Sequence, residues 1–193
     1  MKVKNWPNFD KDLISKVCDV IESGKINYTT GPFGEKFETK FSKFIGNKYS
    51  VAVCNGTAAL EVAIKSLNLP KNSKIIVPAR SFFSSAACIV NTGHTPVFVD
   101  VDLKTQNISL KDLKNKITKN IRAIICVHLA GLPCDMHNIK KIINKYKIKI
   151  IEDCSQAHGA SIDNKQVGTF GDVSTWSFCT DKIISTLGEG GMI

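Results

Sequence analysis

Residues 74–100 read KIIVPARSFFSSAACIVNTGHTPVFVD. KIIVP (74–78) is a short apolar run rich in β-branched residues and stopped by a proline, which reads as a buried strand. SFFSSAACIVNTG (81–93) carries apolar residues at helical spacing and ends on a glycine, so it reads as a helix. TPVFVD (95–100) is a second strand. Strand, helix and strand in so short a span make a crossover unit, which joins parallel strands.

The alternation extends in both directions. NFDKDLISKVCDVIESG (8–24) reads as a helix closed by Gly24. GPFGEKFETKFSKFIG (31–46) places Phe33, Phe37, Phe41 and Phe44 on one helical face, a stripe expected in the core rather than around a cofactor. YSVAV (49–53) is a strand, followed by CNGT (54–57) and the helix AALEVAIKSL (58–67). Downstream come the helix SLKDLKNKIT (109–118), the strand IRAIICVH (121–128), the helix DMHNIKKIINKYK (135–147) and the strand IKIIED (148–153). GDVSTWSF (171–178) and GGMI (190–193) read as further strands. The strands are Val/Ile-rich throughout, as strands covered on both faces are. The expected fold is α/β: a three-layer α-β-α arrangement around a mostly parallel sheet. Residues 1–34 are expected as an N-terminal helical arm and 35–193 as the layered domain. There is no internal repeat and no low-complexity linker.

Composition narrows the function. Apolar residues make up 43% and charged residues 22%, an ordinary globular balance, and no apolar run is long enough to span a membrane. The N-terminus lacks the apolar core of a secretory signal. Seven cysteines, an odd number scattered singly, read as free thiols in a reducing cytoplasm. Cys126, His128, Cys134 and His137 are the candidate metal ligands, but no paired-ligand knuckle joins them, so no metal is expected. The net charge of +9 comes from lysines interleaved with core positions in the helices, with only two arginines, Arg80 and Arg122. That pattern is a solvated surface rather than a nucleic-acid footprint, and it suits a small anionic substrate.

In open α/β sheets, ligands bind beyond the C-terminal ends of the strands. Three groups sit at such ends. Asn55-Gly56-Thr57 opens a helix, where free N–H groups and the dipole favour a phosphate, although the same triplet is an ordinary cap. Glu152-Asp153 ends a strand with carboxylates. Ser177 ends another, and Lys182 comes after it. A phosphate cradle, a carboxylate and a lysine match the phosphate, ring nitrogen and aldehyde of pyridoxal phosphate. The GxxxxGK[ST] and GxGxxG nucleotide signatures are both absent.

NGTAAL, PVFVDVD, IICVHLAGLPCDM, IIEDCSQAHGA, VGTFGDVSTWSF and K....LGEGG together resemble the DegT/DnrJ/EryC1/StrS family of sugar aminotransferases. These are fold-type-I pyridoxal-phosphate enzymes, and the likeness runs from GPFGEKFE to the last residue. It implies that residues 35–193 are the large cofactor-binding domain, truncated before a C-terminal small domain. Lys182 then looks like the Schiff-base lysine, Asp153 the partner of the pyridine nitrogen, and Gln156 a contact to the phenolic oxygen. Gly56, Thr57 and Ser177 resemble the phosphate contacts. Phe82 matches an aromatic position that stacks on the ring, the alternative being a helix core residue. His158 is placed at most behind the cofactor contacts, and His128 has no assigned role.

The implied reaction moves an amino group from an amino acid, usually glutamate, to a nucleotide-linked ketosugar in two half-reactions. Lys182 serves as the general base between them. The family's active sites lie at a homodimer interface. A dehydratase branch carries histidine in place of the lysine, so Lys182 argues against it. An inactive fragment is the other alternative, and the isolated chain is expected to self-associate through an unfinished last strand.

Overall fold

The computed structural model describes residues 6–193, so residues 1–5 of the expected arm lie outside the described residues. Helices α1 (Lys11–Glu22) and α2 (Phe33–Ile45) precede β1 (Ala52–Val53) and α3 (Gly56–Ser66). β2 (Lys74–Pro78), α4 (Ser84–Asn91) and β3 (Thr95–Val99) form the crossover unit. They are followed by α5 (Leu110–Lys116), β4 (Ile121–Val127), a short 3₁₀ turn at Leu129–Gly131, α6 (Met136–Ile143) and β5 (Lys149–Asp153). β6 (Ser161–Ile162), β7 (Lys165–Gln166), β8 (Val173–Ser177) and β9 (Gly191–Met192) complete the order.

Seven strands form one sheet in the order β1-β9-β8-β5-β4-β2-β3. Every neighbouring pair is parallel except those of β9, which runs antiparallel to both β1 and β8. The side-chain period of two divides the sheet cleanly between its faces. Ile75, Val77, Ala123, Ile125, Val127 and Ile151 join Leu60, Ala63, Ile64, Cys88 and Ile89 of α3 and α4 in one core. Their neighbours in sequence, Ile76, Ile124, Cys126 and Ile150, join Leu113, Met136, Ile139 and Ile143 of α5 and α6 in another. Burial on both faces is what a crossover topology with helices above and below requires.

The helices start where capping chemistry places them. Asp10, Asn55, Ser109 and Asp135 each accept a hydrogen bond from a backbone N–H in the first turn. α2 packs through Phe41, whose ring meets Trp176 and Phe178 edge-on at centroid distances of 5.2 and 5.3 Å. Among the described residues, no helix is long and apolar enough to cross a membrane.

Several expectations are adjusted. The phenylalanine stripe is core only at its centre: Phe41 is buried and Phe37 packs beside it, while Phe33 and Phe44 are exposed because α2 covers only one end of the sheet. The first strand shrinks from 49–53 to two residues, because β1 pairs on one side only, with a β9 that is itself two residues long. α4 begins at Ser84 rather than at residue 81, which leaves Phe82 before the helix. The hairpin β6–β7 was not anticipated, although Asp163 and Asn164 at positive φ supply the chemistry of a tight two-residue turn. The last strand is not an open edge, since β9 is hydrogen-bonded on both sides.

Three of the four candidate metal ligands are hydrogen-bonded within the protein, as follows. His128 Nδ1 accepts from the Cys134 backbone N–H at 3.0 Å and its Nε2 pairs with Glu152 at 3.0 Å. Cys134 donates to the Val127 carbonyl, and His137 reaches Asp163 at the surface. Of the seven cysteines, Cys88, Cys126, Cys134 and Cys154 are buried, whereas Cys18 and Cys54 are exposed and Cys179 is half-buried.

Candidate active site

A cleft of about 480 Å³ opens at the C-terminal ends of the central strands. All seven residues singled out in the sequence line it: Gly56, Thr57, Phe82, Asp153, Gln156, Ser177 and Lys182. Register explains the convergence. β8 lies beside β5 in parallel, so Asp153 and Ser177 reach the same edge. α3 packs over β8, which brings its first turn there too.

At one end of the cleft the start of α3 lies against β8. A Cβ on Gly56 would sit 2.8 Å from the Ser177 Cβ, so only glycine allows this approach. Gly191 in β9 is pressed equally hard, since its Cβ would lie 2.4 Å from the Asn55 carbonyl oxygen. Asn55 caps the Ala58 N–H, while the N–H groups of Gly56 and Thr57 precede the first intrahelical bonds. Two N–H groups at the positive end of the helix dipole, with a serine Oγ beside them and no side chain between, form an anion cradle. The Thr57 hydroxyl is 2.6 Å from that of Ser84.

At the other end stands Asp153, only 5% exposed. It faces α3 and α4 because it shares the parity of Ile151 on β5. Its Oδ1 accepts from the Ser155 N–H at 3.2 Å and its Oδ2 from the Ser85 hydroxyl at 3.1 Å. Its neighbour Glu152 points to the opposite face and is fully buried. Glu152 accepts from the N–H groups of Gly168, Phe170 and Gly171 and pairs with His128. Burial alone would raise its carboxyl, but His128 and these N–H groups outweigh that and hold it below the usual value. Glu152 and His128 therefore tie the chain entering β8 to β5, which is the role the sequence did not reveal for His128.

Phe82 is 69% exposed at the cleft mouth, so it is not a helix core residue. Gln156 accepts from the Ala130 N–H through Oε1 at 2.8 Å, which leaves its amide N–H groups for the cleft. Lys182 lies in the loop between β8 and β9, its side chain 22% exposed and its Nζ 3.0 Å from Asp181 Oδ2. That loop is closed at its base by Phe178 N–H to Gly190 O and Thr180 N–H to Gly188 O. His158 is buried against Trp176 and Phe178, and among the described residues neither ring nitrogen has a hydrogen-bond partner. Burial holds it neutral, its pKa lowered to about 4. The Lys182 charge acts in the same direction, and the Ser177 backbone opposes it without meeting hydrogen-bond geometry. Ser81, Ser84 and Ser85 were missed. Their hydroxyls belong to a stretch read only for its apolar periodicity, and short serines give no spacing signal of their own.

The residues fit a phosphorylated pyridine aldehyde: an anion cradle that a Cβ would fill, a buried carboxylate across from it, and an amine on the rim. The model of the DegT/DnrJ/EryC1/StrS aminotransferase family matches residues 7–193. A GDP-perosamine synthase from Escherichia coli O157:H7 is 44% identical over 99% of this chain and 53% of its own length. The X-ray structure of an aminotransferase from Psychrobacter cryohalolentis superposes with a TM-score of 0.95 at 43% identity, covering 98% of this chain and 48% of that one. An E. coli GDP-4-keto-6-deoxy-D-mannose-3-dehydratase with bound hydrated PLP gives a TM-score of 0.91 at 32% identity, over 98% of this chain and 51% of that one. The chain thus spans about half the length of the curated relatives it matches.

Proposed function

The chain belongs to the DegT/DnrJ/EryC1/StrS aminotransferase family, and from that premise we propose that it binds pyridoxal 5′-phosphate and serves transfer of an amino group from an amino acid, glutamate being the expected donor, to a nucleotide-linked ketosugar. The observation that carries this reading is the shared cleft of Lys182, Asp153 and the glycine-opened start of α3. A lysine at position 182 also argues against the histidine-bearing dehydratase branch.

Each residue then has a task. Gly56 and Thr57 hold the phosphate with backbone N–H groups, and Ser177 adds its hydroxyl. Phe82 covers one face of the ring, a π-surface against a π-surface. Asp153 pairs with the ring nitrogen and keeps its proton in place, while Gln156 donates its amide N–H to the phenolic oxygen. The bound cofactor supplies an electron sink for the carbanion formed at the substrate carbon. Lys182 Nζ would be the amine that holds the aldehyde group, and as a neutral amine it would be the base that moves the Cα proton of the donor. Residues 1–34 form the arm and 35–193 the cofactor domain in this reading. The working enzyme is a cytoplasmic homodimer with a shared active site. Exposed Phe82 and Phe83 on the α4 side support a second copy packing there.

The test is covalent mapping. The protein is mixed with pyridoxal phosphate, reduced with borohydride and digested. The phosphopyridoxyl label is expected on Lys182, and Lys182→Ala should still bind the cofactor but form no reducible bond. Label spread over surface lysines, with none at 182, would overturn the assignment.

A further inference from the structure

We infer that Ser85, steered by Ser81, is a positioning residue that sets the orientation of the Asp153 carboxylate toward a pyridine nitrogen; this rests on the cofactor reading above. Asp153 sits at the end of β5 and Ser85 one residue into α4, so the contact joins two elements that are far apart in sequence. The Ser85 Oγ lies 3.1 Å from Asp153 Oδ2, and the Ser81 Oγ lies 2.7 Å from the Ser85 Oγ. Ser85 is 1% exposed, so bulk water does not compete for these bonds.

The direction of the chain follows from chemistry. An ionised carboxylate only accepts, so the Ser85 hydroxyl proton must point at Asp153. Its lone pairs are then open, and the hydroxyl 2.7 Å away must be the donor to them. The order is Ser81 to Ser85 to Asp153. Each bond polarises the next, and the whole chain ends on the carboxylate oxygen. With Oδ1 held by the Ser155 N–H, both oxygens are tied and rotation of the carboxylate about its last bond is stopped. Ser81 lines the cleft, so this chain begins at the wall that faces a ligand. The adjacent Ser84 holds Thr57, so consecutive serines of α4 fix the two ends of the site against each other.

The test compares pyridoxal phosphate with its analogue bearing C–H in place of the pyridine nitrogen. Dissociation constants are measured by equilibrium dialysis for the wild type, Ser85→Ala, Ser81→Ala and Ser85→Thr. Ser85→Ala should bind pyridoxal phosphate roughly tenfold more weakly, from the loss of one charge-assisted hydrogen bond. Its affinity for the analogue should stay within about twofold, because no ring nitrogen is present for the carboxylate to meet. Ser81→Ala should show the same split between the two ligands with a smaller change, and Ser85→Thr should restore wild-type binding. The pH at which the bound pyridine nitrogen deprotonates, followed by absorbance, should fall in Ser85→Ala. Equal losses for both ligands would mean that Ser85 only packs the site, and no loss for either would mean that the hydroxyl is idle. Each of these overturns the inference. If Ser85→Ala fails to fold, Ser81→Ala carries the same comparison. A wild type that binds neither ligand removes the cofactor reading as well, and is recognised by its independence of the substitutions.

Discussion

The GEGG stretch at 188–191 contains glycines that look alike in sequence but face different surroundings. A Cβ built on Gly188 meets nothing within 4 Å among the described residues, and its φ lies in the ordinary range. A Cβ on Gly191 would lie 2.4 Å from the Asn55 carbonyl oxygen, 2.5 Å from its carbon and 3.0 Å from the Gly56 nitrogen. The obstacle is backbone, so no side-chain rotation relieves it. To reach an ordinary contact of about 3.4 Å, β9 or the 55–56 turn must shift by about 1 Å. β9 is bonded on both sides, to Ala52–Val53 and to Trp176–Ser177. Overpacking of this kind costs about 1–3 kcal/mol, and a weakened ladder bond adds about 1 kcal/mol. Gly191→Ala should therefore lose about 2–4 kcal/mol and lower Tm by roughly 10 °C for a chain of this size. Gly188→Ala should stay within about 0.5 kcal/mol. The shift also moves the Gly56 N–H, so affinity for pyridoxal phosphate should fall in Gly191→Ala and hold in Gly188→Ala. Differential scanning calorimetry and dialysis read both effects. A Gly191→Ala protein melting within a degree of the wild type would refute the close-approach argument.

Three further outcomes rest on the same geometry. His158 has a folded pKa of about 4 against 6.5 unfolded, so the unfolded chain binds the extra proton first. The stability at stake is fully present above pH 6.5 and is lost as pH falls toward 4, on the order of 3 kcal/mol. Urea titrations of His158→Phe should show a flatter pH dependence in that window, and an unchanged slope would exclude the histidine as its source. Glu152→Gln sets an amide N–H₂ among the N–H donors of the 168–171 turn and should cost about 2–4 kcal/mol in denaturant unfolding, although Glu152 touches no ligand. A midpoint equal to that of the wild type would show that the clamp carries no stability. In α1, no residue is buried, so Ile21→Glu should change Tm by no more than about 1–2 °C, and a large drop would place that face inside an interface.

Periodicity alone was enough for the layered architecture. Runs such as KIIVP and IRAIICVH are β-branched and apolar on both faces, and only strands sandwiched between helices make that pattern stable. Asn55 could be read as a cap because capping is a local reaction between a short side chain and an N–H group three residues on, and Ser109 and Asp135 cap their helices in the same way. The residues that line the cleft were legible as a set because parallel strands all deliver their C-terminal residues to one edge. What tertiary structure decided is which of two neighbours faces the cleft. Glu152 and Asp153 are both carboxylates at one strand end, and the parity set by β4 and β8 sends one into a buried clamp and the other to the cleft. The same holds for Gly188 and Gly191, and for Ser85 and Asp153, which are 68 residues apart. A distance of 3.1 Å between them is a property of how α4 packs on the sheet, and no local pattern encodes it. Pairing partners are likewise non-local: β9 lies between β1 and β8 because the 179–189 loop returns the chain to the Asn55 turn, where only a glycine leaves room for it.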